Sequence, residues 1–390
     1  MHGILTLNAG SSSLRFGLYR GGAEPQMVVD GHVDGIGPAA RLTVLRGERR
    51  EVSEVAADTP GAALDAVMMA LEPDLSEVAV NAVGHRIVHG GTEFNGPVLL
   101  EPDTIAVLEA LVPLAPLHQP HNLAGVEVAR RRFPAALQIG CFDTSFHRTH
   151  PWVNDTFALP RKFYDSGVRR YGFHGLSYEY ITGEISRLYP ALSRGRVVIA
   201  HLGNGASMCA VNGGQSVGST MGFTALDGLP MGTRCGQVDP GVVLHLLTQV
   251  GMSAEEVTHL LYRESGLLGL SGLSSDMRVL LASDAPEAAQ AIDYYVFRAR
   301  REIGAMTAVL GGIDALVFCG GIGENAAPVR QRIVDGLEYL DIALDQDANR
   351  ANAPDIGAGK TRVMVMPTDE ERVIARAAQI ALDKARDLAV

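Results

Sequence analysis

The sequence predicts an α/β protein in which one domain plan occurs twice. Two stretches half a chain apart, residues 4–19 and 196–211, each contain an apolar strand, a turn of small polar residues and a second strand. In the first stretch, apolar residues alternate with other residues in the period of a strand. Further apolar runs of strand length alternate with helical patterns along the chain. We therefore expect two related domains, although the halves are too dissimilar in sequence for identity alone to prove a duplication.

The turns of both stretches are suited to bind phosphate. The first turn, from Asn8 to Ser13, contains one Asn, one Gly and three Ser, so it exposes backbone N–H groups and hydroxyls in a small space. Arg15 lies on the face opposite the apolar side chains of its strand, and Asn8 offers a hard oxygen of the kind that Mg²⁺ binds. An ordinary Ser-rich hairpin is the alternative interpretation. Because the second turn, at 203–207, repeats the pattern, we favour a nucleotide bound between the two copies.

The composition argues against several classes of protein. The chain has 390 residues, enough for two domains, and 47% hydrophobic with 20% charged residues is typical of a globular protein with a large core. A net charge of −11 without a basic run argues against nucleic acid and membrane surfaces as partners. The four cysteines are widely spaced, which argues against a zinc site or a disulfide framework. Since no apolar signal core or membrane-spanning run is present, we expect a cytoplasmic protein.

Two candidate side chains follow buried strands in the first half of the chain. The apolar run 78–83 predicts a strand that delivers Arg86 ahead of a Gly pair, a position that suits anion binding. The run 136–142 predicts a strand that ends at Asp143, and open α/β sheets place their chemistry at the carboxyl ends of such strands. A surface arginine and a helix N-cap are the alternative interpretations of these two residues. Helices are predicted at 60–71, 102–112 and 123–132.

Gly-rich segments in the second half carry further candidates. One places two arginines, an aromatic residue and His174 against glycines, which favours an anion pocket. The irregular segment 218–236 contains Arg234, and long irregular segments inside compact domains are often functional. The strand 315–319 runs into glycines and a helix to about Tyr339, a pattern typical of nucleotide approach. Other helices are predicted at 177–188, 239–250 and 286–310.

The C-terminal segment contains a last strand, 362–366, and an amphipathic helix. Thr368-x-x-Glu371 matches a capping box, in which Glu371 folds back to the start of the helix. Glu370 is then left to meet Mg²⁺, directly or through water.

Two rival functions fit part of the sequence. Gly321-x-Gly323-x-x-Ala326, followed by Asp341, matches the loose dinucleotide fingerprint of a dehydrogenase. That interpretation lacks a strand to present Asp341 and leaves both small-residue turns unexplained. A noncatalytic ATP-driven module of the actin and heat-shock chaperone type would share the paired turns. It would not need arginine and histidine side chains around a second anion.

Nine motifs resemble the acetokinase family, in order and over nearly the whole chain: 8–14, 85–91, 115–118, 142–147, 171–175, 201–205, 231–234, 275–278 and 320–325. The resemblance implies the duplicated actin-like ATPase fold, with mixed sheets flanked by helices and an active-site cleft between two domains. It implies an N-terminal domain of residues 1–147, completed by the helix 371–390, and a nucleotide-binding domain of residues 148–370. It also implies a homodimer that reversibly converts ATP and acetate to ADP and acetyl phosphate with Mg²⁺, or Mn²⁺ in its place. A propionate kinase is the alternative.

The same resemblance implies roles for individual side chains. Asp143 is the active-site acid, which we assign to orientation and electrostatics because acetate, like side-chain carboxylates, is already ionised near neutral pH. Arg86 would hold the acetate carboxylate, whereas Arg234 and His174 would stabilise the transferring phosphoryl group.

Three groups of residues complete the implied site. The acetate methyl group would contact Val88, Leu117, Phe173 and Ala225. The nucleotide would contact Ser13, Arg15, His201, Leu202, Gly203, Asn204, Gly205, Asp276, Met277, Arg278, Gly320, Gly321, Ile322, Gly323, Glu324 and Asn325. The metal would be held by Asn8 and Glu370, and His118 and His201 are further candidates for phosphoryl contacts.

Four departures from the family pattern bear on specificity. Arg15 stands where the family usually has Lys, which replaces a point charge by a planar fork. Asp369 stands where it usually has Asn, which adds a negative charge beside the implied metal. Gln119-Pro120-His121-Asn122 replaces Asn-Pro-Pro-Asn, and Ala225 replaces a Pro at the edge of the acyl pocket. The reaction type is unaffected, but the preferred acid is left open.

Overall fold

The computed structural model describes residues 2–10, 13–116 and 118–388, and the predicted contact Leu117 lies outside them. The chain divides into two compact units. The first unit contains the residues up to Phe146 and those from Asp369 onward, and the second contains His147–Thr368. Within the described ranges, no helix is long and apolar enough to cross a membrane.

The described residues of the first unit form one mixed sheet of eight strands. They are β1 (His2–Ala9), β2 (Ser13–Arg20), β3 (Gln26–Asp34), β4 (Arg41–Arg46), β5 (Arg49–Glu54), β6 (Ala79–Ile87), β7 (Val98–Leu99) and β8 (Leu137–Phe142). The order is β5-β4-β3-β2-β1-β6-β8-β7, in which β6 and β8 run parallel to β1 and the strands from β1 to β5 alternate in direction. The first predicted strand–turn–strand motif is confirmed as β1 and β2, which pair with Asn8 opposite Arg15.

Three helices follow in the same unit: α1 (Pro60–Leu75), α2 (Pro102–Ala110) and α3 (Gln119–Arg132). α1 and α3 pack against the sheet, and the apolar core there includes Leu5, Phe16 and Val83. The helix predicted from residue 123 begins instead at Gln119. The reason is that Pro120 occupies the first turn, where its missing N–H has no intrahelical partner to lose and its fixed φ suits a helix start.

β6 continues past its predicted end at Val83 to Ile87, so Arg86 lies within the strand and not after it. The extension follows from pairing with β8, where Arg86 lies opposite Cys141 and Ile87 lies opposite Phe142. The carboxyl ends of the adjacent parallel strands β1, β6 and β8 therefore lie side by side. This edge is where sheets of this kind carry their chemistry.

The second unit repeats the central topology of the first. Its described strands are β9 (Arg196–Leu202), β10 (Ala206–Asn212), β11 (Gln215–Ser219), β12 (Ala315–Cys319) and β13 (Arg362–Val365). They form one sheet in the order β11-β10-β9-β12-β13, with two antiparallel pairs followed by two parallel pairs. The strands β3-β2-β1-β6-β8 of the first unit have the same order and directions. The duplicated α/β fold is thereby confirmed, and the two small-residue turns occupy equivalent positions.

The second unit contains eleven α-helices in its described residues: α4 (Trp152–Asp155), α5 (Arg161–Asp165), α6 (Gly175–Leu188), α7 (Pro240–His245), α8 (Ala254–Arg263), α9 (Gly266–Ser271), α10 (Met277–Leu281), α11 (Pro286–Leu310), α12 (Gly320–Asn325), α13 (Ala327–Val334) and α14 (Gln346–Arg350). α11 packs on β9, β10 and β11. The predicted helix 239–250 changes after His245 to a π-helical turn that Gly251 ends at φ 82°. The helix predicted to reach Tyr339 is divided into α12 and α13, because Pro328 begins a new helix and cannot continue the hydrogen bonds of the old one.

The last helix, α15 (Glu370–Asp387), packs on β1, β6 and β8. Gly84 permits this close approach, since a Cβ placed there would lie 2.3 Å from Cγ2 of Ile374. The predicted capping box at Thr368 does not form. The N-cap is Asp369, whose Oδ1 accepts a hydrogen bond from the backbone N–H of Arg372 at 3.0 Å. An aspartate that already caps the helix explains why Glu371 does not fold back to Thr368.

Candidate active site

A charged cluster occupies the carboxyl ends of β1, β6 and β8. Asn8 is the next-to-last residue of β1, Arg86 lies near the end of β6, and Asp143 follows β8. Arg86 donates from Nε to Asp143 Oδ1 at 2.9 Å and from Nη2 to Asp143 Oδ2 at 2.6 Å. It also donates from Nη1 to Asn8 Oδ1 at 3.1 Å. The first unit thus brings together two predicted catalytic residues and one predicted metal ligand.

The guanidinium of Arg86 keeps donors for a further anion. A guanidinium carries five N–H groups, and Asp143 and Asn8 take three of them. Arg86 is about a quarter exposed, at 26% of its side-chain surface, whereas the Asp143 side chain is 1% exposed. Asp143 therefore fixes the plane of Arg86 from the buried side. One N–H group on each terminal nitrogen of Arg86 remains to bind a further anion such as a carboxylate.

The charges in this cluster depend on one another. Burial opposes the positive charge of Arg86, but Asp143 and Glu370 outweigh it and hold the pKa of Arg86 above its ordinary value. Burial raises the pKa of the Asp143 carboxyl, and Arg86 opposes that rise. Since Asp143 accepts two hydrogen bonds from a cation, its structural role is to carry negative charge and hold Arg86 in place.

Asn8 and Glu370 form the candidate metal site. Asn8 Nδ2 donates to Glu370 Oε2 at 3.3 Å, and the same carboxylate oxygen lies 3.7 Å from Arg86 Nε. An amide oxygen and one carboxylate suit Mg²⁺, which usually takes its other ligands from water and substrate phosphates. Within residues 2–10, 13–116 and 118–388, no three His, Cys, Asp or Glu side chains form a metal cluster. The donor set therefore fits an ion that arrives with a phosphate ligand.

Val88 and the residue after it are held in place by side chains of the segment 119–122. Its N–H donates to Asn122 Oδ1 at 2.9 Å, and Asn122 Nδ2 donates to the carbonyl of Ala9 at 2.6 Å. Gln119 binds the backbone of His89 twice, through its Oε1 at 3.3 Å and its Nε2 at 3.1 Å. The unusual segment 119–122 thus fixes the chain beside the candidate acyl pocket, where Val88 is 8% exposed.

The other predicted residues of the first unit lie on or beside its first hairpin and at the start of α3. Arg15 is exposed on β2, on the face opposite the buried Leu14, as predicted. The Ser13 carbonyl accepts from the Gly10 N–H at 2.8 Å, which closes the turn. His118 is the N-cap residue of α3.

In the second unit, the turn after β9 and the glycines after β12 lie together. Cys319 pairs with His201 at the carboxyl ends of these parallel strands. Gly320 has φ 74°, and a Cβ there would lie 2.8 Å from the Leu202 carbonyl oxygen, so only glycine fits. A Cβ on Gly203 would lie 3.9 Å from the Gly321 nitrogen. The residues predicted to contact nucleotide at 201–205 and 320–325 are therefore neighbours.

His174 stands at the start of α6 beside this turn. It adopts the left-handed conformation at φ 59°, which is uncommon for a residue with a side chain. Its ring stacks on His201 at 4.3 Å between centroids, and its Nδ1 is 2.8 Å from Ser207 Oγ. Tyr178 OH is 2.5 Å from the same Ser207 oxygen. A Cβ on Gly205 would lie 3.2 Å from His174 Nε2, so the turn after β9 lies close against this ring.

Arg234 is placed by the loop that contains it. Gly232 donates its N–H to the Asn204 carbonyl at 3.0 Å, which docks the loop on the turn after β9. The Arg234 carbonyl accepts from the Met231 N–H at 3.0 Å, and Arg234 Nη1 donates to the Ala225 carbonyl at 3.2 Å. A predicted phosphoryl-binding side chain and a predicted acyl-pocket residue are thus in direct contact.

Phe173 is buried, at 2% exposure, and its carbonyl accepts a hydrogen bond from His147 Nε2 at 2.9 Å. The preceding Tyr171 donates its N–H to the Gly222 carbonyl at 3.0 Å. The segment that contains Phe173 is therefore paired with the segment that leads to Ala225. His147 and Ser207 were not predicted as supports of this region, because their partners lie far away in sequence.

The remaining predicted nucleotide contacts lie at α10 and in α12. Asp276 caps α10 and accepts from Arg278 through Nε at 3.1 Å and Nη2 at 2.6 Å, while Met277 is buried at 3% exposure. At the end of α12, the fully buried Arg330 donates to the carbonyls of Gly323 at 2.8 Å and Glu324 at 3.0 Å. Met277 thus anchors α10 in the core, and Arg330 anchors the glycine-rich helix.

The repeated sheets, the paired turns, Arg86 near the end of its strand and Arg234 in its loop define a phosphotransferase of the duplicated actin-like class. The acetokinase family model matches residues 3–376. The chain belongs to the acetokinase family, which confirms the resemblance seen in the sequence motifs.

The relatives match nearly the full chain. The acetate kinase of Methylocella silvestris is 54% identical, with 98% of each chain covered, and that of Rhodopseudomonas palustris (strain TIE-1) is 49% identical, with 96% of each covered. Among solved structures, Porphyromonas gingivalis acetate kinase has a TM-score of 0.87 at 35% identity and covers 98% of this chain and 100% of its own. A propionate kinase from Francisella tularensis has a TM-score of 0.91 at 33% identity and covers 97% and 99%.

Proposed function

We propose that this chain transfers the γ-phosphoryl group of ATP to acetate, reversibly, to give acetyl phosphate and ADP. The observation that carries the proposal is the geometry of Arg86. Asp143 holds its guanidinium from one side, and N–H groups remain for the carboxylate of a small acid. The names of the two acetate kinases described above support acetate over propionate as the acid.

The proposed reaction needs no general base from the protein. Acetate is ionised near neutral pH, as side-chain carboxylates are, so one of its oxygens is already a nucleophile. Arg86 would orient that carboxylate and offset its charge as it meets the anionic phosphate. Asp143 would keep Arg86 in the productive plane, which explains why an acid is buried against an arginine here. Positioning and charge stabilisation account for most of the catalysis in phosphoryl transfer.

The second unit would supply the groups that meet ATP. Arg234 and His174 would stabilise charge on the transferring phosphoryl group, with His174 held by Ser207 and stacked on His201. The nucleotide would approach the backbone closely at the positions that lack a Cβ, which are Gly203, Gly205, Gly320, Gly321 and Gly323. We also propose that the two units correspond to domains 1–147 with 371–390 and 148–370.

Asn8 and Glu370 would hold the Mg²⁺, or Mn²⁺, that accompanies ATP. The bound ion would offset phosphate charge. Both side chains are kept close by their mutual hydrogen bond at 3.3 Å, and Glu370 is also near Arg86. One carboxylate and one amide leave room for phosphate and water ligands, as Mg²⁺ usually requires.

A homodimer and a cytoplasmic location are part of the proposal. Large apolar side chains are exposed on the second unit: Val153 at 70%, Leu244 at 60%, Val250 at 58% and Phe297 at 57%. We propose that a second copy of the chain covers some of these side chains. Sedimentation of the purified chain tests the dimer, and replacing Val153 and Leu244 by Lys tests this surface.

Trapping of the product with hydroxylamine tests the reaction. The chain is incubated with ATP, Mg²⁺ and acetate, propionate or butyrate, and acyl hydroxamate is measured, with EDTA and ATP-free controls. We expect hydroxamate that depends on both ATP and Mg²⁺. If no acid gives product but hydride is transferred to a nicotinamide cofactor, the chain is a dehydrogenase. If ATP is hydrolysed without acyl phosphate, it is an ATPase module.

A further inference from the structure

Three side chains meet at one buried serine hydroxyl in the unit that contains Phe173. Ser216 Oγ on β11 lies 2.8 Å from His147 Nδ1, 2.8 Å from His150 Nε2 and 3.2 Å from Cys209 Sγ. Ser216 and His147 are both 0% exposed. His147 in turn reaches the Phe173 carbonyl through Nε2 at 2.9 Å. A hydrogen-bonded chain therefore runs from His150 to the backbone of a candidate pocket residue.

The protons of this hydrogen-bonded chain can be placed in one consistent way. A carbonyl oxygen only accepts, so His147 Nε2 must carry the proton that binds Phe173. Burial lowers the pKa of His147 to about 4, so near neutral pH the ring is neutral and its Nδ1 must accept from the Ser216 hydroxyl. Ser216 has then used its single proton. His150 Nε2 must donate to it, and the thiol of Cys209 is the second donor that Ser216 Oγ can accept.

His150 is held in this arrangement by its neighbours. Thr149 donates to the Ser216 carbonyl at 2.7 Å, which fixes the adjacent backbone, and the His150 ring lies 5.3 Å from that of His147. Burial, with the neighbouring His147, Arg148 and Arg170, lowers the pKa of His150 to about 2. His150 Nδ1 is buried and has no hydrogen-bond partner in the described part of the chain. His150 therefore acts through Nε2, which lies 2.8 Å from Ser216 Oγ.

The hydrogen-bonded chain ends at Phe173, beside the candidate site residue His174. Phe173 is followed at once by His174, whose left-handed backbone starts α6. His147 also packs edge-on against Tyr178 at 5.6 Å, and Tyr178 shares Ser207 with His174. A Cβ on Gly172 would lie 2.6 Å from His147 Cδ2, so the ring is in close contact with the backbone of this segment. A change in the tautomer of His147 would break its hydrogen bond to the Phe173 carbonyl.

We propose that His150 is a positioning residue for the acyl pocket: through Ser216 it selects the tautomer of His147 that holds the Phe173 carbonyl. The inference rests on the proposed function, since Phe173 is one of the residues assigned to the acetate methyl group. His150 itself does not touch substrate. We expect a substitution of His150 to weaken the binding of the acid and not the binding of ATP, because the hydrogen-bonded chain ends at the acyl-pocket residue Phe173.

Steady-state kinetics of three variants test the proposal. His150→Ala removes the donor, His150→Gln keeps an amide donor, and Ser216→Ala removes the link with a small change of volume. Losing a donor to a buried acceptor changes an equilibrium by roughly tenfold, so we expect the KM for acetate to rise about tenfold in His150→Ala and Ser216→Ala. The KM for ATP should change less than about twofold, and His150→Gln should recover most of the acetate affinity.

The matched control is His259→Ala, because His259 is 63% exposed and lies on the same unit. It should leave both KM values unchanged. If folded His150→Ala and Ser216→Ala keep the natural KM for acetate, or raise both KM values equally, the proposal is overturned. If His150→Ala does not fold, Ser216→Ala decides the question alone.

A spectroscopic measurement separates this proposal from the proposed function. In protein labelled with ¹⁵N-histidine, the His147 signal, assigned with His147→Gln, should show a proton on Nε2 and none on Nδ1. The Ser216→Ala variant should show a mixture of tautomers. An Nδ1–H tautomer in the natural protein overturns the proposal even if acetyl phosphate forms. If no acyl phosphate forms but the Nε2–H tautomer is present and lost in Ser216→Ala, the proposed function fails and the positioning of Phe173 stands.

Discussion

Arg86 and Asp143 are joined by two charge-assisted hydrogen bonds, of 2.9 Å and 2.6 Å, at the carboxyl ends of neighbouring parallel strands. The pair explains how a buried carboxylate and a half-buried guanidinium coexist, because each offsets the burial of the other. It also means that the two residues act as one unit. Removing Asp143 leaves Arg86 free to turn, and removing Arg86 leaves a buried acid without its cation.

We expect Arg86→Ala and Asp143→Asn each to lower kcat/KM for acetate on the order of 10³-fold, since charge placement dominates phosphoryl transfer. The double variant should lose little more than either single one, because the residues form one unit. The control is Arg46→Ala, which breaks another bidentate Arg–Asp pair in the same unit, to Asp74 at 2.8 Å. Turnover and circular dichroism are the measurements. Full additivity of the two losses would contradict the shared role.

Arg234→Ala should lower kcat on the order of 10³-fold while the protein remains folded. The guanidinium is the only part of Arg234 assigned to charge stabilisation, and its carbonyl bond to the Met231 N–H survives the substitution. Arg263→Ala, at an exposed position on α8, is the control. A folded Arg234→Ala protein with near-natural turnover would show that the role of Arg234 is wrong.

Glu370→Ala should raise the Mg²⁺ concentration needed for half-maximal activity steeply, because it removes the single carboxylate of the candidate metal site. Asp369→Ala should instead cost about 1 kcal/mol of stability by removing the N-cap of α15, with little change in the Mg²⁺ requirement. Asp369→Asn keeps a capping side chain and is the matched control. A Mg²⁺ titration and thermal unfolding measure the two effects. If Glu370→Ala mainly lowers stability and Asp369→Ala mainly raises the Mg²⁺ requirement, both roles are wrong.

The placement of Asp369 also changes the meaning of a sequence departure. Its carboxylate accepts from the Arg372 N–H and lies 3.1 Å from Arg372 Nε, so its charge is engaged at the helix start. Burial and the neighbouring Glu370 raise the pKa of Glu371, whose Oε1 has no hydrogen-bond partner among the described residues. The sequence pattern assigned the cap to the wrong pair, because two overlapping capping patterns begin at adjacent residues.

Acid should destabilise the protein through its buried histidines. Burial, opposed by the hydrogen bond to Gln138, lowers the pKa of His85 to about 4. Because the ordinary value is about 6.5, the unfolded state binds more protons between these two pH values, and stability falls as pH falls through that window. Near pH 5 the loss from His85 alone is about 2 kcal/mol relative to neutral pH.

Urea unfolding near pH 7 and near pH 5 measures this effect, as the difference between the natural protein and His85→Gln. The variant should lose about 2 kcal/mol of the pH dependence. The exposed His259→Gln variant should keep it. If His85→Gln has the same pH dependence as the natural protein, His85 is not the buried neutral group that its surroundings indicate.

Local sequence patterns predicted most of the strands and helices, but they did not predict the residues that hold the candidate site in place. Strand periodicity predicted β1 and β2, and a strand followed by glycines predicted β12 and α12. The sequence predicted Arg86 just after its strand, because only the pairing with β8 shows that β6 continues through Arg86. Asn122 and His147 could not be predicted, because each acts on a backbone group distant in sequence. The roles of the predicted site residues stay predictions.

The contact between Arg234 and the Ala225 carbonyl bears on the choice of acid. Proline at 225 would keep this carbonyl, and the Ala225 N–H donates no hydrogen bond in the described part of the chain, so Ala225→Pro should preserve the contact. The ring would add volume and stiffness at the rim of the acyl pocket. Val88, β-branched and 8% exposed, should limit the depth of the pocket in both proteins.

We therefore expect acetate to be the best substrate of the natural protein, propionate to react measurably and butyrate poorly. One added methylene group changes the discrimination of an apolar pocket between two acids by roughly 10–200-fold. We expect the small Ala225 to weaken this discrimination against propionate. Ala225→Pro should raise the ratio of kcat/KM for acetate to that for propionate by about tenfold. Ala225→Val adds volume without fixing φ and separates the two causes. If propionate exceeds acetate in the natural protein, acetate is the wrong acid, and unchanged ratios in Ala225→Pro would remove residue 225 from the pocket.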